Sequence, residues 1–367
     1  MTAALVTYAS YFIRRLYDDT MNFAIPFSVQ SGHAISFLGV EYESTGTDNS
    51  TSRFLEADNS TSRFLEDFQS RIFLPYREGF EPIVIPDIYN ITTLVSDRGW
   101  GCTIRSTQML VAQSLISLQI GRDFRSSSAT DEEIDIVRNI VWRFADTPDA
   151  ELSIHRIVRF GAERLDKPPG TWFGPSSAAV AVRNVWLPSN RIGVLYFPDG
   201  SANPDEISAN LLAHPEGLIL LFGHRLGLHS IDLSIYKEEL MRLFQFPMFQ
   251  GMVGGDSRRA FYIPAVSDNY LYYLDPHVVY PALTNISTLQ ERMVSMRAPF
   301  RMPWERLDPQ ISLAFSLKSR DEAEGLFAFM RTSILFTLVD IATSSSYDVA
   351  AAISDDFDGS NDDTTYP

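Results

Sequence analysis

The 367 residues contain one cysteine, Cys102, so no internal disulfide and no multi-cysteine metal site braces this chain. Its fold has to be held by an apolar core and by hydrogen bonds. That cysteine follows Ser96-Asp97-Arg98-Gly99-Trp100-Gly101 and stands directly before a helical run, Thr103 to Ile120, that closes at Gly121. Ile104, Leu110, Val111, Leu115 and Leu118 fall roughly on one face of the run, with Arg105, Gln108 and Gln113 elsewhere. A thiol at a helix N-terminus meets unpaired backbone N–H groups and the positive end of the helix dipole, and both favour the nucleophilic thiolate. Gly99 and Gly101 leave room for another backbone to approach. A lone cysteine is also commonly a buried small hydrophobe, and spacing alone leaves both readings open.

With 45% hydrophobic and 21% charged residues, the chain has the balance of a soluble globular protein, long enough for one large core or two domains. A net charge of −16 without a Lys/Arg cluster argues against nucleic-acid binding and suits a basic protein partner. The apolar stretch Ala3 to Ile13 lacks a basic region before it, and no run reaches transmembrane length. A monomer in the reducing cytoplasm, without a membrane anchor, is expected.

Residues 1–30 read as a flexible arm. Ala34 to Tyr42 has the character of a strand. A direct repeat follows, Asp48-Asn-Ser-Thr-Ser-Arg-Phe-Leu-Glu56 and then Asp58-Asn-Ser-Thr-Ser-Arg-Phe-Leu-Glu66, which reads as a local insertion over 48–67 lengthening a loop or a helix start. Phe68 to Phe80 reads as a helix end and loop, and Ile83 to Thr93 as a proline-punctuated connection. Thr130 and Glu133 form a capping-box pattern for a helix through Ala145. Further helices are expected over Ser153–Ala162 and from Gly174-Pro175 onward. The second half turns β-rich, with strands at Ile192–Phe197, Leu218–Phe222, Ala260–Ile263 and Tyr270–Leu274, one helix at about Leu233–Phe244 and a late helix over Glu322–Val339. Residues 343–367 are acidic and aperiodic, an expected disordered tail. Helices first and an antiparallel sheet second predict an α+β layout.

An activated thiol needs a base within reach and a third group to orient it. His33, His155, His214, His224, His229 and His277 are available. His155 lies in an amphipathic helix, and His224 and His229 are five apart, the wrong spacing for paired metal ligands on a helix. No metal site and no cofactor are expected. His277 ends Tyr272-Tyr-Leu-Asp275-Pro-His277, and in extended backbone residues i and i+2 project to the same side. Asp275 can therefore orient the His277 imidazole, as the carboxylate of a catalytic triad does, although Asp-Pro is also common as a turn at strand ends.

The stretch Ser96-Asp-Arg-Gly-Trp-Gly-Cys102-Thr-Ile-Arg-Ser-Thr-Gln-Met-Leu-Val-Ala-Gln113 resembles the nucleophile segment of the autophagins. These are cysteine proteases that process the ubiquitin-like modifier of autophagy. Leu274-Asp-Pro-His277 is similar to their Asp-Pro-His motif. Further similar pieces run in family order: Phe37–Tyr42, Ser70-Arg-Ile-Phe with Tyr76-Arg, Gly121-Arg-Asp-Phe, Trp172-Phe-Gly-Pro175, Leu226-Gly-Leu, Gly254-Gly255 and Arg301-Met-Pro-Trp-Glu-Arg-Leu-Asp-Pro309. The similarity covers roughly residues 30–340.

The resemblance implies a papain-like catalytic domain over 31–342, with a helical part carrying Cys102 as nucleophile and a β-rich part carrying His277 as base and acid and Asp275 as orienter. It implies Tyr76 and the Cys102 N–H as oxyanion donors, Trp172 as the cover of the cleft, and Gly254 and Gly255 within a gating segment that spans Met252 to Arg259. The implied substrate is a ubiquitin-like modifier, cut after its C-terminal glycine and later released from phosphatidylethanolamine. Two departures stand out. Asp256-Ser-Arg-Arg259 replaces the usual Lys-Pro-Asn-type loop, and the tail lacks an aromatic-x-x-aliphatic modifier-binding motif. A protease for another ubiquitin-like modifier, or a non-catalytic modifier-binding scaffold, are the competing readings.

Overall fold

Leu218-Ile-Leu-Leu-Phe222 is an unbroken apolar run, as expected for a strand whose sheet is covered on both faces. Ile219 and Leu221 point into one apolar cluster, and Leu218, Leu220 and Phe222 into the other. The computed structural model describes residues 34–43, 59–86, 91–187, 190–256, 258–285 and 298–340. The arm over 1–30, the first copy of the repeat and the acidic tail lie outside the described residues.

In chain order the elements are β1 (Ala34–Phe37), β2 (Val40–Glu43), α1 (Asn59–Gln69), β3 (Tyr76–Pro86), β4 (Ile91–Ser96), α2 (Cys102–Gln119), α3 (Asp131–Trp142), α4 (Ile154–Arg164) and α5 (Pro175–Val185). The second half adds β5 (Ile192–Phe197), β6 (Ser201–Ala202), α6 (Pro204–Ala213), β7 (Gly217–Arg225), α7 (Leu233–Gln245), β8 (Phe249–Asp256), β9 (Arg259–Ser267), β10 (Tyr270–Leu274) and β11 (Val279–Pro281). It closes with β12 (Phe300–Pro303), a 3₁₀ turn at Trp304–Arg306, β13 (Gln310–Leu317), α8 (Arg320–Met330) and β14 (Thr337–Leu338). Among the described residues no helix is long and apolar enough to cross a membrane.

The main sheet runs β12-β10-β9-β8-β13-β7-β5, with the β1–β2 hairpin attached through β9. Helix α2 packs across β9, β8 and β13, and α5 packs against α2, β13 and β7. Helices α6, α7 and α8 contribute to the opposite apolar cluster through Ile207, Leu240, Leu243, Phe244, Leu326 and Phe327. The α+β layout is therefore as expected, but the sheet is not purely antiparallel. β5 joins β7 in parallel, because α6 carries the chain across between them.

Local details differ from the periodicity-based reading in physically informative ways. Ala34–Tyr42 is a hairpin rather than one strand, because Leu38 (φ 46°) and Gly39 (φ 83°) turn the chain in left-handed backbone. The proline-punctuated connection is the β3–β4 hairpin, whose register breaks between Glu78 and Ile83, and β3 also pairs in parallel with β11. Helix α6 and strands β8 and β13 were not anticipated. Gly251 and Gly254-Gly255 in β8 dilute the apolar pattern that marks a strand. The late helix stops at Met330 instead of Val339. The expected capping box at Thr130 and Glu133 is present in full.

Helix α2 is wrapped on all sides, so Arg105, Gln108 and Gln113 are buried along with its apolar face. The second copy of the repeat starts α1, and its Phe64 is fully buried against Phe37, Tyr42, Phe68 and Tyr272. At the end of α1, buried Asp67 accepts from Tyr42 Oη at 2.6 Å and Arg122 at 2.7 Å, and pairs with Arg71 and Arg125. One carboxylate thus ties α1 to the Gly121–Phe124 turn.

Candidate active site

The thiol of Cys102 opens α2. Its preceding residue, Gly101, offers no side-chain cap, so the first N–H groups of the helix stay directed toward the sulfur end. The turn before it is tight: Asp97 O accepts from Gly101 N at 2.9 Å and Trp100 N at 3.3 Å, and Gly99 takes φ 87°. A Cβ on Gly101 would sit 2.7 Å from the Asp97 side chain, so that position tolerates glycine alone.

Strand β10 delivers the second half of the site. Asp275 Oδ1 accepts the His277 backbone N–H at 2.9 Å and also bonds the ring Nδ1 of His277. The pair is brought together by an Asx-type turn beyond β10 rather than by strand alternation, a geometry that Asp adopts because its short side chain reaches the backbone two residues on. Tyr76 faces the imidazole edge-on at 5.3 Å, and Phe261 flanks it at 5.6 Å. The Tyr76 backbone N–H donates to Pro276 O at 2.9 Å, and Val279 pairs with Tyr76 across β11 and β3.

Cys102, Tyr76 and His277 meet at one point. Burial pushes the thiol up. That effect is outweighed by the hydrogen bond and charge of His277, the backbone N–H of Ala260 and the hydroxyl of Tyr76, so Cys102 lies below the ordinary thiol value. Burial pulls His277 down, but the Asp275 charge and hydrogen bond and the Cys102 sulfur more than reverse it, to about 9. With the thiol lowered and the imidazole raised, each in part by the other, the arrangement favours a thiolate–imidazolium pair whose imidazole is held by a carboxylate. Such a pair can attack an acyl carbon and then protonate the departing amine.

The site is covered. Cys102 is 1% exposed, and its Sγ stands 3.8 Å from the carbonyl oxygen of Arg258, which takes φ 66° at the tip of the β8–β9 hairpin. Gly255 makes that hairpin possible, since a Cβ there would lie 1.5 Å from Arg259 O. Gly254 admits Leu307 and Ile311 at 3.0 and 3.1 Å from its own Cβ position. Asp256 pins the hairpin by pairing with Arg259 at 3.0 Å and with Arg306, whose Nε donates at 2.8 Å. The Asp308 N–H adds a bond to Gly255 O at 2.8 Å. The pairing of Asp256 with Arg306 was not expected from the sequence. Their signal lay in the divergent Asp256–Arg259 loop and in the Arg301–Pro309 motif, but only folding pairs them.

Trp172 is half-buried on the same apolar cluster as Cys102 and Trp100, two residues before the Gly174 cap of α5, and its indole N–H is buried with no acceptor among the described residues. The other histidines go elsewhere. His155 Nε2 lies 2.7 Å from Glu81 O and is buried, and His214 Nδ1 lies 2.8 Å from Asn210 O. His224 is buried beside Phe222 and Phe336, which pulls it down to about 4. His33 lies outside the described residues.

The peptidase C54 catalytic domain, as a family model, matches residues 61–328 and so spans both the Cys102 turn and the Asp275–His277 turn. The chain belongs to the peptidase C54 family. It is a cysteine protease with a papain-like fold. Among the relatives of this C54 chain, a probable cysteine protease atg4 from Aspergillus oryzae is 30% identical over 70% of this chain and 69% of its own length. A probable cysteine protease ATG4 from Cryphonectria parasitica is 34% identical over 70% and 62%, and the cysteine protease atg4 of Emericella nidulans is 30% identical over 70% and 70%. Among solved structures, UfSP from C. elegans aligns with TM-score 0.28 and 14% identity, covering 65% of this chain and 34% of that one, a likeness too slight to bear on the fold.

Proposed function

We propose that this C54 peptidase hydrolyses the bond that follows the C-terminal glycine of a ubiquitin-like autophagy modifier, with Cys102 as nucleophile, His277 as acid and base, and Asp275 as orienter. The observation that carries the reading is the convergence of a helix-start thiol with an Asp-held imidazole, the first lowered and the second raised toward an ion pair.

The Cys102 thiolate attacks the glycine carbonyl carbon. The resulting oxyanion takes hydrogen bonds from the Cys102 N–H and the Tyr76 hydroxyl. His277 then passes its proton to the departing amine, leaving a thioester on Cys102. Water, deprotonated by His277, attacks that thioester, and the glycine carboxylate leaves as the thiolate re-forms. The departing amine belongs to a peptide in a modifier precursor and to phosphatidylethanolamine in the lipidated form. Both are amides of the same glycine, so one site serves processing and delipidation.

The covered thiol supports entry by displacement. A narrow extended tail has to lift the Arg258 tip and slide beneath Trp172 before it reaches Cys102. Gly254 lets the hairpin sit close to Leu307, and Gly255 lets its two strands approach at Arg259. The chain acts as a monomer in the cytoplasm in this reading, and its acidic surface suits a basic modifier.

Purified chain incubated with tagged precursors of autophagy modifiers, and separately of other ubiquitin-like modifiers, tests the substrate. Cleavage after glycine confined to the autophagy set is expected. Cleavage of the other set alone would transfer the protein to the competing protease reading, and binding without cleavage to the scaffold reading. In the same assay Tyr76→Phe removes a single oxyanion donor. It should lower kcat by about 10- to 100-fold with KM little changed, and an unaltered kcat would remove Tyr76 from the oxyanion role.

A further inference from the structure

Four buried charges lie directly behind the site, and the proposed reaction uses none of them. Asp97, Arg105, Asp146 and Arg77 have side chains no more than 3% exposed. Asp97 Oδ2 accepts from Arg105 Nε at 2.6 Å, and Asp146 Oδ1 accepts from the other end of the same guanidinium at 2.7 Å. Arg77 Nε stands 3.8 Å from Asp146 Oδ2 and its fork reaches Pro281 O at 3.3 Å. Two positive and two negative charges make the cluster neutral.

Asp97, Arg105 and Arg77 lie on segments that carry a site group, and Asp146 is bonded to a third such segment. Asp97 begins the turn that leads to Cys102, and its two backbone bonds to Trp100 and Gly101 shape that turn. Arg105 sits in the first turn of α2, with its N–H bonded to Gly101 O at 3.0 Å. Arg77 follows Tyr76, and its own N–H donates to Asp97 Oδ1 at 2.6 Å. Asp146 exchanges two bonds with Leu283, at 2.8 Å through its N–H and 2.7 Å through Oδ2, in the segment that continues from His277 through β11.

A buried ion pair is weak evidence for stability, because desolvation offsets much of its attraction and apolar residues of similar size often serve as well. Its geometry is another matter. The planar Arg105 fork meets two carboxylates in fixed directions, and each carboxylate also holds backbone N–H groups of another segment. We infer that Asp97, Arg105, Asp146 and Arg77 are positioning residues: together they hold the start of α2, the Tyr76 strand and the His277 segment at the separation the reaction needs. Shifting a reacting atom by an ångström costs about 100-fold in rate, so a small loosening here reaches Cys102 without touching the substrate surface.

The inference rests on the catalytic assignment of Cys102 and His277, and two readouts keep the two apart. The first is steady-state cleavage of a modifier precursor. The second is iodoacetamide alkylation of Cys102 against pH, which needs no modifier. Wild type with a Cys102→Ala control tests the catalytic assignment alone. Asp97→Asn, shown folded by circular dichroism, should lose about 10- to 100-fold in kcat with KM within about twofold, and its alkylation midpoint should move up toward that of an ordinary thiol. Arg105→Lys, which keeps the charge but not the fork, should retain part of the rate.

If Asp97→Asn does not fold because Arg105 loses one of its two buried carboxylate partners, the double variant Asp97→Asn/Arg105→Gln removes both charges and leaves Asp146 with Arg77. The same kcat loss at constant KM would then support the role. Wild-type kcat and alkylation in either folded variant would overturn it. A raised KM with unchanged kcat would also overturn it, and unfolding of both variants would make the cluster a stability element instead.

Discussion

Cleavage of a tagged modifier precursor should fall by about 10⁵-fold or more in Cys102→Ala, to the level of the buffer, while the variant still binds the precursor. The size follows from the mechanism. Acyl transfer passes through a covalent bond to one atom, and no second cysteine exists in the chain to take its place. His277 by itself has no thiolate to discharge, and the oxyanion donors have no tetrahedral adduct to stabilise. The fold should tolerate the change with only a small loss of stability, because alanine removes a single buried sulfur atom. Gel-shift cleavage with both proteins, and a thermal melt of each, check the two halves of the expectation. Residual cleavage within tenfold of wild type would remove Cys102 from the reaction.

Asp275→Asn is expected to lower kcat by about 100- to 1,000-fold at pH 8 and to change the shape of the pH profile. Wild-type activity should rise as Cys102 loses its proton, which occurs below the usual thiol range, and should fall again as His277 loses its proton near 9. Asp275 is the first of the groups that raise His277, so an uncharged amide lets burial pull the imidazole back toward or below its ordinary value. The alkaline limb therefore moves to lower pH. The deficit of the variant should be smallest in mild acid, where the imidazole is still protonated, and should widen steadily above neutrality. The amide also loses the acceptor that holds Nδ1–H, so part of the deficit persists at every pH. An unshifted alkaline limb would place the cause of the raised His277 elsewhere.

Much of the site was legible before folding. A cysteine after Gly-Trp-Gly and before a run with helical periodicity reads as a helix start, because glycine favours the turn and the period favours the helix. That places the thiol at the N–H end of α2, as found. The Asp275–His277 pair was legible for its spacing, though the actual link is a side chain bonding backbone two residues on rather than a strand's alternation. Strands β5 and β10 were read to the residue because β-branched and aromatic residues concentrate there. Strand β8 was not, since its glycines answer to close neighbours at Arg259, Leu307 and Ile263 and not to any local pattern. Arg105, Gln108 and Gln113, which fall off the apolar face of the helix, are buried for a related reason: polar residues on a helix face solvent only when no buried partner awaits them. Asp97, Asp146 and Leu152 O provide those partners for Arg105 and Gln108, and Arg71 donates to Gln113 Oε1.

The sequence by itself determined the chemical parts: one thiol at a helix start, one imidazole with its carboxylate two residues away, and two apolar faces to be covered. These depend on short-range rules of turn, period and capping, which act within a few residues. Tertiary structure alone decided that the two halves meet, that Tyr76 and Ala260 bond the sulfur, and that Arg258 lies over it pinned through Asp256 and Arg306. Those arrangements join segments far apart in the chain, and their geometry is set by buried charges and close-packed glycines whose partners no local pattern names.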